Sequence, residues 1–279
     1  MYKLGLIGYP LGHSISAVIQ EEGLRNIGFE GTYDPIETTP EDMLDRIKYL
    51  KHNNYNGFNV TIPLKTIIPV FLNDIDEKAD IVGCVNTVKI TKDENLIGTN
   101  TDIYGFKTAI PKNINLKGKA AAILGTGGAA RAAVAGLSEL GVSQIDFYTR
   151  NIINTNKVLN FLREKFPQIS FNAFQIQNDK NLSNVSILVN ATPIGMRGYM
   201  MDEMPISIHD LSTLSKDAVV YDIIYNPLKT LLMEHAEKMG LQTISGLDML
   251  IYQAQKSIEI WTGKLPDANV MKIAALQAL

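Results

Sequence analysis

The chain has 279 residues, enough for two domains, and 46% of them are hydrophobic, which suffices for a packed core. Its formal net charge is −3 and no block of basic residues stands out, so a nucleic-acid-binding function is disfavoured. The single cysteine, Cys84, excludes an intramolecular disulfide, and the four histidines are too far apart in sequence for a local metal site. No apolar run reaches membrane-spanning length, and we expect a cytoplasmic protein that binds no metal.

Strand and helix patterns alternate in the first part of the chain, which favours an α/β fold with mostly parallel strands. One helix is expected to begin near Ser16, as its N-cap, and another at residues 39–42, where a threonine cap precedes a proline. The predicted strands are residues 4–7, 32–36 and 57–60, followed by a hairpin of residues 87–90 and 96–99.

A second α/β unit begins near residues 116–119, where the character of the sequence changes. Residues 151–184 are rich in asparagine, and we interpret them as a loop-rich, solvated stretch. From about Leu247 onward, apolar periodicity predicts helices. The other predicted elements are strands at residues 120–124, 145–148, 187–189 and 219–222, and a helix at residues 128–140.

A glycine-rich segment at residues 123–130 follows a predicted strand and opens a predicted helix, which is the context of a dinucleotide-binding motif. Gly125 permits a tight turn, Gly127 leaves room for a phosphate, and Ala130 keeps helix and strand close. The helix N-terminus offers N–H groups and a positive dipole to an anion. A glycine-rich turn without a ligand is the alternative reading of this motif alone.

The residue after the next strand indicates which dinucleotide is bound. Asp146 stands at the start of that strand, whereas an acid that takes the ribose hydroxyls of NAD stands at its end. The strand runs into Arg150, and a guanidinium suits the 2′-phosphate of NADP. We therefore predict NADP over NAD, with a solvated loop arginine as the alternative.

Three polar segments of the first half could hold a small substrate. Two serines, Ser14 and Ser16, could bind a carboxylate, although plain helix capping explains them equally well. Lys65 follows an apolar strand, but most lysines are simply solvated. Asn86 and Asp102 lie at opposite ends of the predicted hairpin, where turn formation is the ordinary role of such residues. The sequence contains no G-x-S-x-G nucleophile motif.

Taken together, these segments resemble the shikimate dehydrogenase family over almost the whole chain and in the same order. The motifs that carry the resemblance are residues 12–16, 59–65, 86–87, 100–106, 125–129, 190–196, 222–227, 246–254 and 261–263. The resemblance implies NADPH-dependent reduction of 3-dehydroshikimate to shikimate, on the way to chorismate and the aromatic amino acids. It also implies a substrate domain of residues 1–105 and 247–279, an inserted Rossmann-type NADP-binding domain of residues 106–246, and a substrate in the cleft. We expect a monomer or homodimer with no nucleic-acid or membrane partner.

The resemblance also implies roles for individual residues. Lys65 and Asp102 would be the catalytic pair. The substrate-binding residues would be Ser14, Ser16, Thr61, Lys65, Asn86, Asp102, Tyr225 and Gln253. The cofactor-binding residues would be Gly125, Thr126, Gly127, Gly128, Ala129, Arg150, Thr192, Ile223, Gly246 and Met249.

The chain departs from the family pattern at a few positions. Ala17 and Gln20 stand where the family often has proline and histidine, and residues 149–151 read Thr-Arg-Asn in place of Asn-Arg-Thr. The arginine is kept, so the NADP prediction stands. Two other functions stay open: a quinate/shikimate dehydrogenase of broader substrate or cofactor use, and a non-catalytic dinucleotide-sensing module, which would be expected to lack Lys65 or Asp102.

Overall fold

The computed structural model of the protein describes residues 1–12, 14–178 and 180–279. The chain divides into two compact units. The first unit comprises Met1–Gly105 and Ile251–Leu279, and the second comprises Phe106–Leu250. His13, which belongs to the first polar segment of the sequence, lies outside the described residues.

The first unit is built on a six-stranded sheet in the order β2-β1-β3-β5-β6-β4. Parallel pairing joins β1 to β2 and β3, whereas β5 runs antiparallel to both β3 and β6. The predicted α/β class, the early strands and the hairpin are therefore confirmed. The strands are β1 (Tyr2–Gly8), β2 (Gly31–Glu37), β3 (Gly57–Val60), β4 (Asp74–Ile75), β5 (Thr87–Ile90) and β6 (Leu96–Thr99).

The register of this sheet brings the polar segments to one edge. Asn59 pairs with Leu6 on one side and with Thr87 on the other, and Thr87 pairs with Thr99. The segments that follow β1, β3 and β6 therefore leave the sheet at the same edge at which the segment before β5 enters it. This is the physical reason why residues far apart in sequence can form one site.

Two helix starts in the first unit differ from the sequence prediction. The N-cap of the first helix is Ile15, Ser16 is its first residue, and no side chain of the cap bonds the first turn. The second helix begins at Met43 after Asp42, because residues 39–42 form a turn in which Asp42 donates its N–H to the carbonyl of Thr39. The helices of this unit are α1 (Ser16–Asn26), α2 (Met43–His52), α3 (Glu77–Val82), the start of α4 (Asp102–Ala109), most of α9 (Gly246–Thr262) and α10 (Ala268–Ala278).

The second unit contains a six-stranded parallel sheet in the order β12-β11-β10-β7-β8-β9. The direction of strand order reverses between β7 and β10, and ligands of such sheets bind outside the carboxyl ends of the strands at this switch point. The strands are β7 (Ala120–Leu124), β8 (Gln144–Thr149), β9 (Ser170–Gln175), β10 (Val185–Asn190), β11 (Val219–Asp222) and β12 (Gln242–Ser245).

The stretch interpreted as loop-rich is largely regular, so that prediction was wrong. Residues 151–184 contain α6 (Ile152–Lys165) and the edge strand β9. Asn151 is the N-cap of α6, and its side chain accepts a hydrogen bond from the N–H of Asn154. Because the helix buries only a narrow stripe and the strand is an edge, most side chains face water, and polarity concealed both elements. The other helices are α5 (Gly128–Glu139), α7 (Ile208–Ser212) and α8 (Leu231–Lys238).

Each unit has its own apolar core, which holds the strand ends in place. The core of the first unit includes Phe58, Leu50 and Ile68, which are fully buried. That of the second includes Leu188 and Val220 from neighbouring strands. Within the described part of the chain, no helix is long and apolar enough to cross a membrane.

Candidate active site

A lysine and an aspartate form a close ion pair in the first unit. Lys65 lies in a single 3₁₀ turn, Leu64–Thr66, shortly after β3, and Asp102 is the first residue of α4. The Nζ of Lys65 lies 2.5 Å from Oδ2 of Asp102, and the two side chains are 17% and 6% exposed. The pair is thus shielded but still reached by solvent through the lysine, an arrangement suited to exchanging a proton.

Asn86, directly before β5, holds the other oxygen of this aspartate. Its Nδ2 donates to Oδ1 of Asp102 at 2.8 Å and lies 3.4 Å from Oε1 of Gln253 on α9. The N–H of Thr101 donates to Oδ1 of Asn86 at 2.8 Å, which determines the orientation of the amide. Both carboxylate oxygens of Asp102 therefore have a donor, and the position of the lysine partner is defined.

A buried amide, Asn59, is hydrogen-bonded to the backbone of Asn86, and the sequence did not reveal its role. Its Oδ1 accepts hydrogen bonds from the hydroxyl of Tyr33 at 2.7 Å and from Nε2 of Gln20 at 3.1 Å. Burial raises the pKa of Tyr33 well above its usual range, so the phenol is neutral and can donate. Because the carbonyl of Asn86 can only accept, Nδ2 of Asn59 faces it, 3.0 Å away. Gln20, one of the departures from the family pattern, is thus part of the buried hydrogen-bonded layer that includes Asn59 and Tyr33. We call this layer the polar floor of the site.

Three hydroxyls complete this floor. Those of Thr87, Thr101 and Ser257 lie within 3.1 Å of one another, and Ser257 also bonds the carbonyl of Gln253 on the same helix. Thr87 belongs to a strand, Thr101 to the segment before α4 and Ser257 to α9. The only sequence signal was that Thr87 and Thr101 are polar residues at or next to strand ends within the motifs, and Ser257 lies outside the motifs. Which hydroxyls meet depends on the sheet register and on the packing of α9.

The two serines of the first polar segment lie side by side. Their hydroxyl oxygens, in Ser14 and Ser16, are 3.1 Å apart, and the backbone N–H of Ser16 donates to Oγ of Ser14. The neighbouring loops are in close contact, because an added Cβ at Gly8 would lie 2.4 Å from Cγ2 of Thr61. The structure therefore brings the carboxyl ends of β1 and β3 together, which follows from the parallel pairing of these two strands.

In the second unit, the glycine loop has the expected strand-loop-helix geometry. Gly125 follows β7 with a φ of 94°, a conformation that L side chains rarely adopt. Gly127 is the N-cap of α5, and a Cβ added there would meet no atom within 4 Å. Thr126, Gly128 and Ala129 complete the turn into α5, whose N-terminus attracts anions through its dipole. This open approach to a helix N-terminus fits the pyrophosphate of a dinucleotide.

Four further cofactor-binding candidates lie beside the glycine loop or near the ends of the neighbouring strands. A Cβ at Gly125 would lie 3.1 Å from Cγ2 of Thr192, which follows β10 across the switch point. At the start of α9, a Cβ at Gly246 would lie 1.9 Å from the carbonyl oxygen of Ile223, so only glycine fits there. Met249, one turn further, is buried. The segments after β7, β10 and β11 therefore form one rim of the sheet.

Arg150 and Tyr225 are the remaining predicted site residues of this unit. Arg150 is exposed and directly follows β8, while Asp146 is held within the sheet by Nδ2 of Asn172 at 2.8 Å. The arginine, and not the acid, is thus available at the strand end. Tyr225 follows β11, and burial raises the pKa of its hydroxyl. Over residues 1–12, 14–178 and 180–279, no three His, Cys, Asp or Glu side chains cluster as metal ligands would.

Asp222 is fully buried at the end of β11. Its burial leads us to expect an unusual dependence of the protein's stability on pH. Burial raises its pKa from 3.8 to about 6, and hydrogen bonds from Thr230, Ile224 and Asn190 offset this only in part. Between these values the folded protein holds the proton more tightly than the unfolded chain does. The stability that protonation of Asp222 contributes is therefore fully present below pH 3.8, and it is lost as the pH rises through about 6.

We compare the free energy of unfolding of the wild type with that of Asp222→Asn. The difference is expected to shift against the wild type by about 1.4 kcal/mol between about pH 5 and about pH 8, the equivalent of one pKa unit. Denaturant unfolding of both proteins across this range measures the difference. A difference that stays constant, or that favours the wild type increasingly at high pH, would contradict the raised pKa.

Fold and site together define a class of protein. A parallel sheet with a glycine loop at its switch point binds a dinucleotide, and a shielded lysine–carboxylate pair beside polar side chains can exchange a proton with a small substrate. This combination is that of a dinucleotide-dependent oxidoreductase.

Comparison with known proteins gives the family. A profile for the shikimate dehydrogenase substrate-binding domain matches residues 6–88, and one for the shikimate 5′-dehydrogenase C-terminal domain matches residues 246–276. Shikimate dehydrogenase (NADP(+)) from Archaeoglobus fulgidus is 36% identical over 279 residues, which cover 100% of this chain and 99% of the relative. The chain belongs to the shikimate dehydrogenase family.

Solved structures agree with this assignment. A crystal structure of shikimate dehydrogenase in complex with NADP+ superimposes with a TM-score of 0.90 at 36% identity, covering 99% of this chain and 95% of that chain. The Thermus thermophilus enzyme, in complex with NADP(H) and shikimate, has a TM-score of 0.85 at 31% identity, with 100% of both chains covered. The family and fold implied by the sequence resemblance are therefore confirmed.

Proposed function

We propose that this protein is a shikimate dehydrogenase that reversibly reduces 3-dehydroshikimate to shikimate with NADPH, in the biosynthesis of chorismate and the aromatic amino acids. The observation that carries the proposal is the bonded set of Lys65, Asp102 and Asn86 at the sheet edge of the first unit. A dinucleotide-sensing module would have no need of this arrangement.

The first unit is the substrate domain in this proposal, and the second is the NADP-binding domain. Ser14 and Ser16 hold the substrate carboxylate, because two adjacent hydroxyls can both donate to it. Thr61, Asn86 and Gln253 bind ring hydroxyls or the carboxylate in this proposal.

The residues present fit NADP. The open space at Gly127 accommodates a phosphate, and the exposed guanidinium of Arg150 provides paired donors for the 2′-phosphate. Thr192, Ile223, Gly246 and Met249 line the rim near the nicotinamide in this proposal. When bound, the dinucleotide supplies or accepts the hydride at C3 of the substrate.

The protein's chemical contribution is the proton. In reduction, the ammonium of Lys65 donates a proton to the substrate oxygen, and in oxidation the neutral amine accepts it back. Asp102 holds the ammonium in place through its 2.5 Å contact, and Asn86 holds Asp102. Because the lysine is partly exposed, solvent returns the proton after each turnover.

Replacing Ser14 or Ser16 with alanine is expected to raise KM for shikimate about tenfold, with kcat within about twofold of wild type. Each serine contributes a hydrogen bond to a charged group in both ground and transition states, worth about 1.5 kcal/mol. Steady-state kinetics at saturating NADP measure both constants. Ser212→Ala, a change at an exposed serine of α7, serves as a control. A fall in kcat with unchanged KM would assign these serines to the chemical step instead.

The activity itself is tested by absorbance at the NADPH band, with shikimate and quinate each offered with NADP and with NAD. Rapid reduction of NADP by shikimate is the expected result. Comparable efficiency with quinate would favour the broader quinate/shikimate dehydrogenase, and comparable efficiency with both cofactors would refute the assignment of NADP to Arg150. Absence of all four reactions would favour the sensing module.

We place the reaction in the cytoplasm, since a chain with one buried cysteine suits a reducing compartment. A monomer or a homodimer is the proposed form, and size-exclusion chromatography with light scattering distinguishes them.

A further inference from the structure

A buried carboxylate in the second unit has no part in the proposed proton transfer. Asp222 is fully buried at the carboxyl end of β11. Its Oδ1 accepts from Nδ2 of Asn190 at 3.0 Å and from the backbone N–H of Ile224 at 3.1 Å, and its Oδ2 accepts from the hydroxyl of Thr230 at 2.7 Å. Every one of these partners is neutral, so within the described residues no ion pair compensates the charge.

The partners of this carboxylate belong to three different segments. Asn190 ends β10, Ile224 lies in the loop after β11, and Thr230 is the N-cap of α8. A single side chain therefore joins the segments that follow two neighbouring strands, together with the helix that comes after the second.

Asn190 transmits this connection to Thr192. Its Oδ1 accepts both the backbone N–H of Thr192, at 3.0 Å, and the hydroxyl, at 2.7 Å. Because the N–H can only donate, the amide oxygen of Asn190 must face Thr192, and its Nδ2 must face Asp222. Asn190 thus links Asp222 to Thr192, because its Nδ2 donates to the carboxylate while its Oδ1 accepts from Thr192.

The same segments form the rim of the dinucleotide site. Thr192 lies against the glycine loop at Gly125, and the carbonyl oxygen of Ile223, the residue after Asp222, lies against Gly246. The backbone N–H of Ile223 also donates to the carbonyl of Asn190 at 3.1 Å. A shift in the bonds of Asp222 is therefore passed to both sides of this rim.

We propose that Asp222 is a positioning residue for the dinucleotide: through Asn190 and Ile224, its ionised carboxylate holds Thr192 and the Ile223 segment in the geometry that binds the cofactor. The inference rests on the proposed NADP-binding role of the second unit. It explains why a buried charge without a cationic partner is present, since an ionised carboxylate satisfies all three donors at once.

Protonation would break this arrangement in a defined way. Burial raises the pKa of Asp222 to about 6. A proton on Oδ2 would be donated to the hydroxyl of Thr230, which already accepts from the N–H of Met233. The hydroxyl hydrogen of Thr230 would then need a new acceptor in a site that is 1% exposed, so the hydrogen bonds around Thr230 would change.

The elements packed against Asp222 offer no competing titration. The flanking strands β10 and β12 carry no titratable side chain. On its own strand, Tyr221 is kept neutral by burial, with Asp248 raising its pKa further. The titratable residues of α8, Glu234, His235, Glu237 and Lys238, are not among the partners of the carboxylate.

Asp222→Asn tests the proposal, because the amide resembles the protonated carboxylate in shape and bonding. Isothermal titration with NADP+ gives the ratio of the dissociation constants of variant and wild type. We expect this ratio to be about ten at pH 8, the loss of one hydrogen-bonded contact, and to approach one at pH 5, where wild-type Asp222 is protonated. The ratio cancels the titration of the cofactor's own 2′-phosphate, which also occurs near pH 6.

Two variants provide controls. Asp210→Asn removes another buried carboxylate of the same unit, paired with Lys180 at 3.0 Å, and should lower stability with no pH-dependent ratio. Thr230→Val removes the hydrogen bond to Oδ2 that lowers the pKa of Asp222. As the pH is lowered, NADP+ binding should therefore begin to weaken at a higher pH in this variant than in the wild type. This second variant keeps the test informative if Asp222→Asn folds poorly.

The outcomes separate the two proposals. Wild-type protein that binds no NADP+ at all contradicts the proposed function. Wild-type protein that binds NADP+ while the ratio for Asp222→Asn stays near one, or is equal at pH 5 and pH 8, leaves the function intact and overturns the positioning role of Asp222.

Discussion

Replacement of Lys65 by alanine is expected to lower kcat by about 10²–10⁴-fold, the usual contribution of a positioned general acid. The dissociation constant for shikimate should change little, since in the proposed mechanism the lysine acts mainly in the transition state and the serines hold the carboxylate. Stopped-flow measurement of NADP reduction, with calorimetric titration of shikimate, measures both quantities. Lys65→Met, which keeps the length of the alkyl chain, should show the same loss and separates charge from packing.

Lys48 offers a matched control, because it is an ion-paired lysine of the same unit whose side chain is 68% exposed. Lys48→Ala should leave kcat and KM unchanged. Asp102→Asn should also lower kcat, since Lys65 and Asn86 donate to different oxygens of Asp102 and the amide would replace one of these oxygens with an NH2 donor. A Lys65→Met enzyme with near-wild-type kcat would assign proton donation to another group.

Substitution of Gly246 by alanine is expected to cost about 3 kcal/mol or more in the free energy of unfolding, at the upper end of the range for overpacked sites. The added Cβ would lie 1.9 Å from the carbonyl oxygen and 2.3 Å from the carbonyl carbon of Ile223. Both are backbone atoms, so the segment after β11 must move. We expect NADP+ binding to weaken at least tenfold as a consequence, measured by calorimetry below the unfolding temperature.

Gly127→Ala provides the contrasting variant. Its Cβ would meet no atom within 4 Å, and its φ of −72° is ordinary for alanine, so stability should stay within about 1 kcal/mol of wild type. Binding of NADP+ should nevertheless weaken strongly, because the methyl group would occupy the space proposed for the phosphate. Equal behaviour of the two variants in both measurements would falsify the distinction between a packing glycine and a ligand-facing one.

Much of the second unit was accessible from local sequence. The glycine loop, the strands around it and Arg150 after β8 depend on residues close together in the chain, and the structure confirms the strands and the turn. The Asn-rich stretch was wrongly interpreted, because α6 and β9 bury only one narrow side. Polarity in that segment reflects exposure to water and not absence of regular structure.

The helix starts of the first unit were misplaced for a related reason. Ser16 has the composition of an N-cap, yet it is Ser14 whose oxygen accepts the N–H of Ser16. Thr39 bonds Asp42 within a turn before α2 begins. Residue type indicates that a side chain can cap a backbone group, whereas the path of the preceding loop decides which group it reaches.

The polar floor of the first unit could not be predicted from the sequence. Asn59, Thr87, Thr101 and Ser257 come from three strand ends and a helix almost two hundred residues away. Their hydrogen bonds depend on the pairing of β3 with β5 and on the contact of α9 with the sheet. The same holds for Asp222, because nothing in the local sequence indicates that it is buried or that it is hydrogen-bonded to two different segments.

By itself, the sequence determined the α/β class, the glycine turn, the family and the identity of Lys65 and Asp102 as candidates, since these follow from local patterns and from motifs in order. Only the tertiary structure decided that Asn86 determines the orientation of Asp102 and that Tyr33 and Gln20 donate to Asn59. It also decided that Asp222 is connected through Asn190 to the segment that contacts the glycine loop. The physical reason is that hydrogen-bond partners and burial are set by strand register and helix packing, which bring together groups that no local pattern relates.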